Sequence, residues 1–132
     1  MYYGLNETLE VRMPVPDIFC EKKLADFIRA GALRRPQQAY GDYFKGKHAS
    51  CALGAAYDGM YRLPADPVGA RPIKELDWFF ECLERSFRQC PEEGCKKNHS
   101  LAVLIVHLND DHCWSRERIA AWVAREPEPA GS

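Results

Sequence analysis

Two cysteines and two histidines in the C-terminal third of the chain have the spacing of a zinc site. Cys90 and Cys95 bracket four residues, eleven residues separate Cys95 from His107, and four separate His107 from His112. This pattern, C-x4-C-x11-H-x4-H, is close to zinc-finger spacing, with two cysteines on a tight turn and two histidines on a following helix. Four protein ligands leave no water position for catalysis. The sequence therefore predicts a closed, structural Zn²⁺ site that contributes to folding.

The fourth ligand is the part of this pattern that fits least well. An offset of five residues rotates a side chain by roughly 140° around a straight helix, so His112 reaches the ion only if the helix ends or bends near residues 109–111. Those residues, Asn-Asp-Asp, are suited to ending a helix and to orienting the imidazoles as hydrogen-bond acceptors. Three other side chains stay open as alternative ligands: His99, Cys113 and Cys82. Without a metal, the two cysteines would be ordinary loop thiols and His107 a hydrogen-bonded core histidine.

Cys51 is a second candidate for chemistry, as a nucleophile. We expect it in the first turn of a short helix, whose dipole favours a thiolate, and His48 lies just before it. No orienting or oxyanion-stabilising group can be named beside it. Burial as a small hydrophobe, at the start of an apolar run, is the simpler interpretation. The sequence therefore names no catalytic residue, and a thiol enzyme is the third functional hypothesis.

Nucleic-acid binding is the second hypothesis, on two grounds. Residues 101–108 and 116–123 are predicted to be helices joined by a short turn, as in a helix-turn-helix. Lys and Arg also outnumber Asp and Glu between Glu21 and Lys47. However, residues 101–106 are apolar, the last helix mixes arginines with glutamates, and the net charge of −1 is unlike that of a dedicated nucleic-acid binder.

Apolar spacing and capping residues predict the elements that position these side chains. One short strand is expected at Leu9–Met13, and residues 31–49 are expected to be irregular. The predicted helices are 18–30 ended by Gly31, 51–57 capped by Ser50 and closed by Asp58-Gly59, Pro72 to about residue 89, 101–108 capped by Ser100, and a last helix capped by Ser115. The stripe along the third of these helices consists of Ile73, Leu76, Phe80, Leu83 and Phe87.

Length and composition predict one small domain. The 132 residues are 46% hydrophobic and 28% charged, which is enough for a core and argues against wholesale disorder. We expect a mainly α domain over residues 1–125, with four or five helices, a short N-terminal strand and a zinc-finger-like knuckle at about 90–112. Residues 126–132 are expected to be a flexible tail. No signal-peptide or membrane-span pattern is present, which predicts a cytoplasmic protein with reduced thiols.

Two segments resemble an uncharacterised group of small bacterial and phage proteins. They are Cys51-Ala-Leu-Gly-Ala-Ala and His107-Leu-Asn-Asp-Asp-His-Cys-Trp-Ser-Arg-Glu-Arg-Ile-Ala-Ala-Trp-Val. Members have a C-A-L-G-A segment followed by H-L-N-D-x-H-x-W-[ST]-R-E-x-I-A-x-W-[VL], often with a cysteine pair just upstream. The resemblance implies that the four zinc-ligand candidates belong to one unit, and it brings no known activity. Because the ligand set is closed and no catalytic group is convincing, we expect a zinc-stabilised interaction or regulatory module of bacterial or phage origin, whose partner is another protein.

Overall fold

The computed structural model describes residues 18–67 and 80–129. Within these two ranges the chain is mainly α, with five helices and two small sheets, which confirms the mainly α class and the expected number of helices. The expected strand at Leu9–Met13 lies outside the described residues, as does the start of the helix predicted from Pro72. The elements in chain order are α1 (Ile18–Arg34), β1 (Gln37–Gln38), β2 (Phe44–Lys45), β3 (Ala49–Ser50), α2 (Ala52–Tyr61), α3 (Cys82–Arg85), β4 (Phe87–Gln89), β5 (Asn98–Ser100), α4 (Leu101–Asp110) and α5 (Arg116–Val123).

Helices α1 and α2 pack with their backbones in close contact at two glycines. A Cβ atom on Gly31 would lie 1.8 Å from the carbonyl oxygen of Ala55, and one on Gly59 would lie 2.2 Å from that of Phe27. Gly31 is buried inside α1, which continues to Arg34. The prediction that Gly31 ends the first helix is therefore wrong, because this glycine is required by the neighbouring helix and not by a turn.

The start and end of α2 also differ from the prediction. Its N-cap is Cys51, whose sulfur accepts a hydrogen bond from the backbone N–H of Gly54 at 3.3 Å, whereas Ser50 is the last residue of β3. The helix continues through Asp58 to Tyr61, where Arg62 adopts a left-handed conformation (φ 53°). A sulfur thus fills the position where a hydroxyl was expected.

The segment between α1 and α2 is a small sheet and is not irregular as predicted. Strand β1 pairs with β3 in parallel, with Gln37 opposite Ala49, and β2 pairs with β3 in the antiparallel sense. Each strand has only two residues, so the sequence shows no alternating pattern long enough to predict them.

The helix predicted to run from Pro72 to about residue 89 is wrong at its C-terminal end. The described part begins at Phe80, and α3 ends at Arg85. Phe80 and Leu83 are buried, as the apolar stripe indicated, but Phe87 lies on β4 and is 63% exposed. Strand β4 pairs with β5 as an antiparallel hairpin, and α4 follows directly.

Ser100 and Ser115 are the N-cap residues of α4 and α5 as predicted, although the side chain of Ser100 makes no capping hydrogen bond. The hydroxyl of Ser115 accepts a hydrogen bond from the backbone N–H of Arg118 at 3.0 Å. Helix α4 lies in the centre of the core, as its almost wholly apolar sequence predicts. Its fully buried large side chains are Leu101, Leu104, Ile105 and Leu108.

Buried charges tie the helices to distant segments. The carboxylate of Glu21 on α1 is 1% exposed and pairs with Arg125 at 2.8 Å and with Arg88 at 3.1 Å. Although burial opposes ionisation, these two guanidinium groups together hold the pKa of Glu21 below its usual value. The Glu21 carboxylate therefore joins α1 to the hairpin and to the segment after α5.

Candidate metal site

The four predicted ligands lie on a hairpin and on the helix that follows it. Cys90 comes directly after β4, and Cys95 lies on the turn before β5. The turn is closed by two hydrogen bonds, from the N–H of Cys90 to the carbonyl of Lys97 at 2.7 Å and from the N–H of Cys95 to the carbonyl of Glu92 at 3.0 Å. Gly94 supplies the left-handed conformation that this tight turn needs (φ +85°). The turn thereby places both sulfur atoms on the side that faces α4.

The end of α4 brings His112 next to His107 despite the five-residue offset. The helix ends at Asp110, and the N–H of His112 still donates to the carbonyl of His107 at 3.3 Å. Cys113 then adopts a left-handed conformation (φ 53°), and the N–H of Trp114 returns to the carbonyl of Leu108 at 2.9 Å. The two imidazole rings lie 4.6 Å apart at 82° to each other. The expectation that the helix ends near residues 109–111 is therefore confirmed.

The structure brings Cys90, Cys95, His107 and His112 into one group that could hold a metal ion. Their ligand atoms all lie within 4.8 Å of one another. The Sγ of Cys95 lies 3.4 Å from the Nε2 of His107. In a tetrahedral zinc site with ordinary Zn–S and Zn–N bonds, ligand atoms are about 3.3–3.8 Å apart. Only about 1 Å of contraction would close the shell around an ion.

A buried nitrogen of His112 supports this interpretation. Among the described residues, no hydrogen-bond partner satisfies the Nε2 of His112, although that atom is shielded from solvent. An unpaired buried nitrogen is costly, and a bound metal ion is one way to satisfy it. The donor set of two sulfurs and two nitrogens fits a soft or borderline-soft tetrahedral ion.

Asp111 fixes the orientation of His107. The Nδ1 of His107 lies 2.7 Å from a carboxylate oxygen of Asp111, so this nitrogen is the donor and Nε2 is left to face Cys95. The two other residues expected to orient the imidazoles do something else. Asn109 is fully buried and accepts the N–H of Ala52 at 3.0 Å, while Asp110 accepts the N–H of Gly41 at 3.0 Å. Asn109 thus holds α4 to the start of α2, and Asp110 holds it to the loop between β1 and β2.

The two thiols lie in different electrostatic surroundings. Burial raises the pKa of Cys90 above its usual value. The backbone N–H of Lys97 and the side chain of His112 lower the pKa of Cys95. Cys95 is therefore the easier of the two thiols to deprotonate. Since a metal ion binds the deprotonated form, the ion itself would have to promote the loss of the proton from Cys90.

The three alternative ligands lie elsewhere. His99 is exposed and stacks on Phe87 at 6.0 Å, with its Nδ1 accepting the backbone N–H of Ser100 at 2.7 Å. Cys113 is exposed. Cys82 forms a disulfide with Cys20, so the expectation of reduced thiols does not hold for this pair, which joins α1 to α3 across 62 residues. No sequence signal marks these two cysteines as partners.

Cys51 lines a separate cavity of about 300 Å³ together with Tyr43 and Asp110. Burial raises the pKa of its thiol to about 11. At neutral pH the thiol is therefore protonated, and the favourable position at a helix N-terminus does not offset the loss of solvent. His48, the base suggested by the sequence, is exposed.

The region that suggested nucleic-acid binding has its arginines engaged in ion pairs and its lysines exposed. In the Lys22–Lys47 region, Arg29 pairs with Glu117 and Glu126, while Arg34 and Arg35 both pair with buried Asp58. The lysines of this region are exposed: Lys22, Lys23, Lys45 and Lys47.

The arginines at the last helix are engaged in the same way. Arg116 is buried and donates to the carbonyls of Arg35 and Pro36 at 2.7 Å. Arg118 lies over the ring of Trp114, and Arg125 pairs with Glu21. A recognition helix needs its arginines free to contact base edges or phosphates. The engagement of these three arginines within the protein therefore argues against the helix-turn-helix hypothesis.

Comparison with known proteins found no matching family model, curated protein or solved structure. The resemblance of residues 51–56 and 107–123 to small bacterial and phage proteins stays a prediction. Within residues 18–67 and 80–129, no helix has the length and apolar character that crossing a bilayer requires.

Proposed function

We propose that this protein is a non-catalytic interaction module whose fold is stabilised by a structural zinc ion. One observation carries the proposal. Cys90, Cys95, His107 and His112 converge from a hairpin, a helix and the turn after that helix, with His107 already oriented by Asp111. Two thiolates and two imidazoles are the donor set of structural zinc sites, in which four protein ligands fill the coordination shell.

Zinc would connect helix α4, which is buried in the core, to the hairpin, whose strand β4 is more exposed. Helix α4 is anchored in the core by four fully buried large side chains, whereas Phe87 and Gln89 on β4 are exposed. Coordination by Cys90 and Cys95 would therefore fix the hairpin to the helix, and the binding free energy of the ion would contribute directly to folding.

An interaction role is favoured because the catalytic alternatives lack a suitable group. A filled four-ligand shell has no position for substrate or activated water. The Cys51 thiol, with a pKa of about 11, is a poor nucleophile at neutral pH. The closed ligand set and the lack of a catalytic group therefore favour an accessory or regulatory protein that acts on another protein, while the resemblance to bacterial and phage proteins adds no activity.

Native mass spectrometry and elemental analysis of the full chain test the zinc site. The freshly purified, reduced protein should carry one zinc ion per chain, and Cys95→Ala and His107→Ala should each lose it and become less stable. Cys113→Ala and His99→Ala are matched controls, which should keep the ion because those side chains lie outside the group.

Two results would contradict the proposal. The first is an absence of metal in the reduced protein, or its retention in both ligand variants. The second is a hydrolase or thiol-transfer activity that depends on Cys51, which would show that the protein is an enzyme.

A further inference from the structure

The two thiols of the candidate metal site lie on one short turn of the hairpin. Four residues separate Cys90 from Cys95, and their sulfur atoms lie no more than 4.8 Å apart. Because a disulfide bond has an S–S length of about 2.05 Å, the two sulfurs have to approach each other by at most about 2.7 Å to form one. The pair that could hold a metal ion is therefore also placed to form a disulfide bond.

The two sulfurs differ in their access to solvent. Cys90 is 4% exposed, whereas Cys95 is partly exposed on the turn. An oxidant dissolved in water therefore meets the sulfur of Cys95 first, and the buried sulfur of Cys90 stands beside it to react with the product. Both sulfurs are in the reactive form when a metal ion is bound, because a coordinated thiol is deprotonated.

The other four cysteines lie outside this pair. Cys20 and Cys82 are already joined to each other. Cys51 is 5% exposed and lines a separate cavity. Cys113 is an exposed free thiol, but it does not belong to the four-residue metal group. Cys113 is therefore the thiol whose oxidation has to be distinguished from that of the pair.

We propose that hydrogen peroxide or a related peroxide oxidises Cys90 and Cys95 to a disulfide and thereby releases the zinc ion. This proposal rests on the structural zinc site proposed above and names the regulation of that site. The Cys95 sulfur attacks one oxygen of hydrogen peroxide, so that an S–O bond forms, the O–O bond breaks and a hydroxide ion leaves. The Cys90 thiolate then attacks the Cys95 sulfur, so that the S–S bond forms, the S–O bond breaks and a second hydroxide ion leaves.

The reaction balances in electrons and in charge. The two thiolates together lose two electrons, and the peroxide gains them. The two hydroxide ions carry the negative charge that the thiolates had, and they balance the charge of the released Zn²⁺. Glutathione, as a thiol reductant, reverses the step by giving up two electrons and forming its own disulfide.

Oxidation removes half of the ligand set. The thiolate is the form of cysteine that binds a metal ion, and neither sulfur of a disulfide is a thiolate. Of the four candidate ligands, only the neutral imidazoles of His107 and His112 remain. Two imidazoles do not fill the shell of a structural zinc site, so the ion is lost to solvent.

The structural effect is confined to the hairpin. The new bond lies within the turn and does not replace the link from the turn to His107 and His112 on the other side of the ion. The helices keep their own connections, because the Cys20–Cys82 disulfide joins α1 to α3 and buried apolar side chains hold α4. We therefore expect oxidation to loosen β4 and β5 from α4 while the core stays folded.

The test uses the full, zinc-loaded chain, purified without reductant and titrated with hydrogen peroxide. Released zinc is followed with the chromophoric chelator pyridylazoresorcinol, and the cysteines are mapped by mass spectrometry after digestion with trypsin. Cleavage after Arg88 and after Lys96 leaves both ligand cysteines on one peptide, residues 89–96. Each released zinc ion should accompany one such peptide that is lighter by two hydrogen atoms. Glutathione and added zinc should then restore zinc binding.

Two further measurements define where the change occurs. Cys113→Ala is the matched control, because Cys113 is exposed but lies outside the metal group, and it should release zinc at the same peroxide concentration as the unaltered chain. In hydrogen exchange, the backbone amides of β4 and β5 should exchange at least about tenfold faster after oxidation, while those of Leu104 and Leu108 in α4 should keep their protection.

Three results would overturn the proposal: zinc that is still bound when Cys113 has been fully oxidised, zinc released without an internal disulfide in the 89–96 peptide, or loss of the release in Cys113→Ala. Unchanged exchange in β4 and β5 would contradict the loosening of the hairpin. The zinc content before treatment separates this proposal from the previous one. Zinc-loaded protein that resists the peroxide would contradict the redox control alone, whereas protein that never carries zinc would contradict both proposals.

Discussion

Replacing Asp111 tests whether the orientation of His107 was built for a metal ion. The Asp111 carboxylate accepts the Nδ1–H of His107 at 2.7 Å, which leaves Nε2 directed at Cys95. In Asp111→Ala no carboxylate holds the Nδ1–H of His107, so the imidazole ring can rotate. The ring then has to be reoriented, with Nε2 towards Cys95, before it can bind a metal ion. Partners of this kind are worth about 10–100-fold in metal affinity.

The expected loss is at the lower end of that range. The side chain of Asp111 is 67% exposed, so solvent screens its charge. We expect Asp111→Ala to weaken zinc binding about tenfold, which corresponds to about 1.4 kcal/mol. Asp111→Asn should lose less, because an amide oxygen can still accept the Nδ1–H but carries no charge.

Zinc affinity is measured by competition with a chromophoric chelator at fixed pH and ionic strength. Asp110→Asn is the matched control, since the neighbouring carboxylate accepts the N–H of Gly41 and the amide of Asn109. Its zinc affinity should stay unchanged. An unchanged affinity in Asp111→Ala would refute the orienting role. An equal loss in Asp110→Asn would show that the general charge at this helix end matters and the specific hydrogen bond does not.

Three further predictions concern the core and the cysteines. Gly31→Ala should lower the free energy of unfolding by about 3 kcal/mol in urea titrations, because its Cβ would overlap the α2 backbone, whereas helix propensity alone predicts a gain of about 1 kcal/mol. Alkylation of Cys51, followed by mass spectrometry, should be far slower at neutral pH than that of exposed Cys113 and should accelerate up to about pH 11; equal rates would contradict the assigned burial. Glu21→Gln should lower the free energy of unfolding by about 3 kcal/mol, because the largely buried guanidinium of Arg88 loses its carboxylate partner. The same substitution at exposed Glu117 should lower it by less than about 1 kcal/mol. Since the folded-state pKa of Glu21 is below its usual value, its contribution should be present at neutral pH and lost as the pH falls through the folded-state pKa, and acid titration of Glu21→Gln should lack this step.

Residues whose role depends on local chemistry could be predicted from the sequence. Ser100 and Ser115 stand at helix N-caps because a small polar residue before an apolar run favours that position wherever the helix packs, and Ser115 also caps α5 through its hydroxyl. The grouping of the zinc-ligand candidates follows from the same kind of reasoning, since their side-chain types and spacing restrict how the chain between them can fold.

Residues whose role depends on a distant partner could not be predicted. Gly31 resembles a helix stop in sequence, and only the approach of Ala55 shows that it is a packing residue. Phe87 continues an apolar helical pattern, yet the helix ends at Arg85 and Phe87 lies on β4, where it pairs with Ser100 of β5. The ion pairs of Glu21 join segments up to 104 residues apart, a distance at which sequence pattern carries no information.

Because helix α4 is held in the core by its own apolar side chains, we expect a zinc ion at the candidate site to act mainly on the hairpin. Leu101, Leu104, Ile105 and Leu108 are fully buried, whereas Phe87 and Gln89 on β4 are exposed. The hydrogen bond from the Trp114 indole to Glu92 already joins the cysteine turn to the chain after α4. An ion held by the four candidate ligands would add a second link between these segments, so its removal should loosen the hairpin before it unfolds the core.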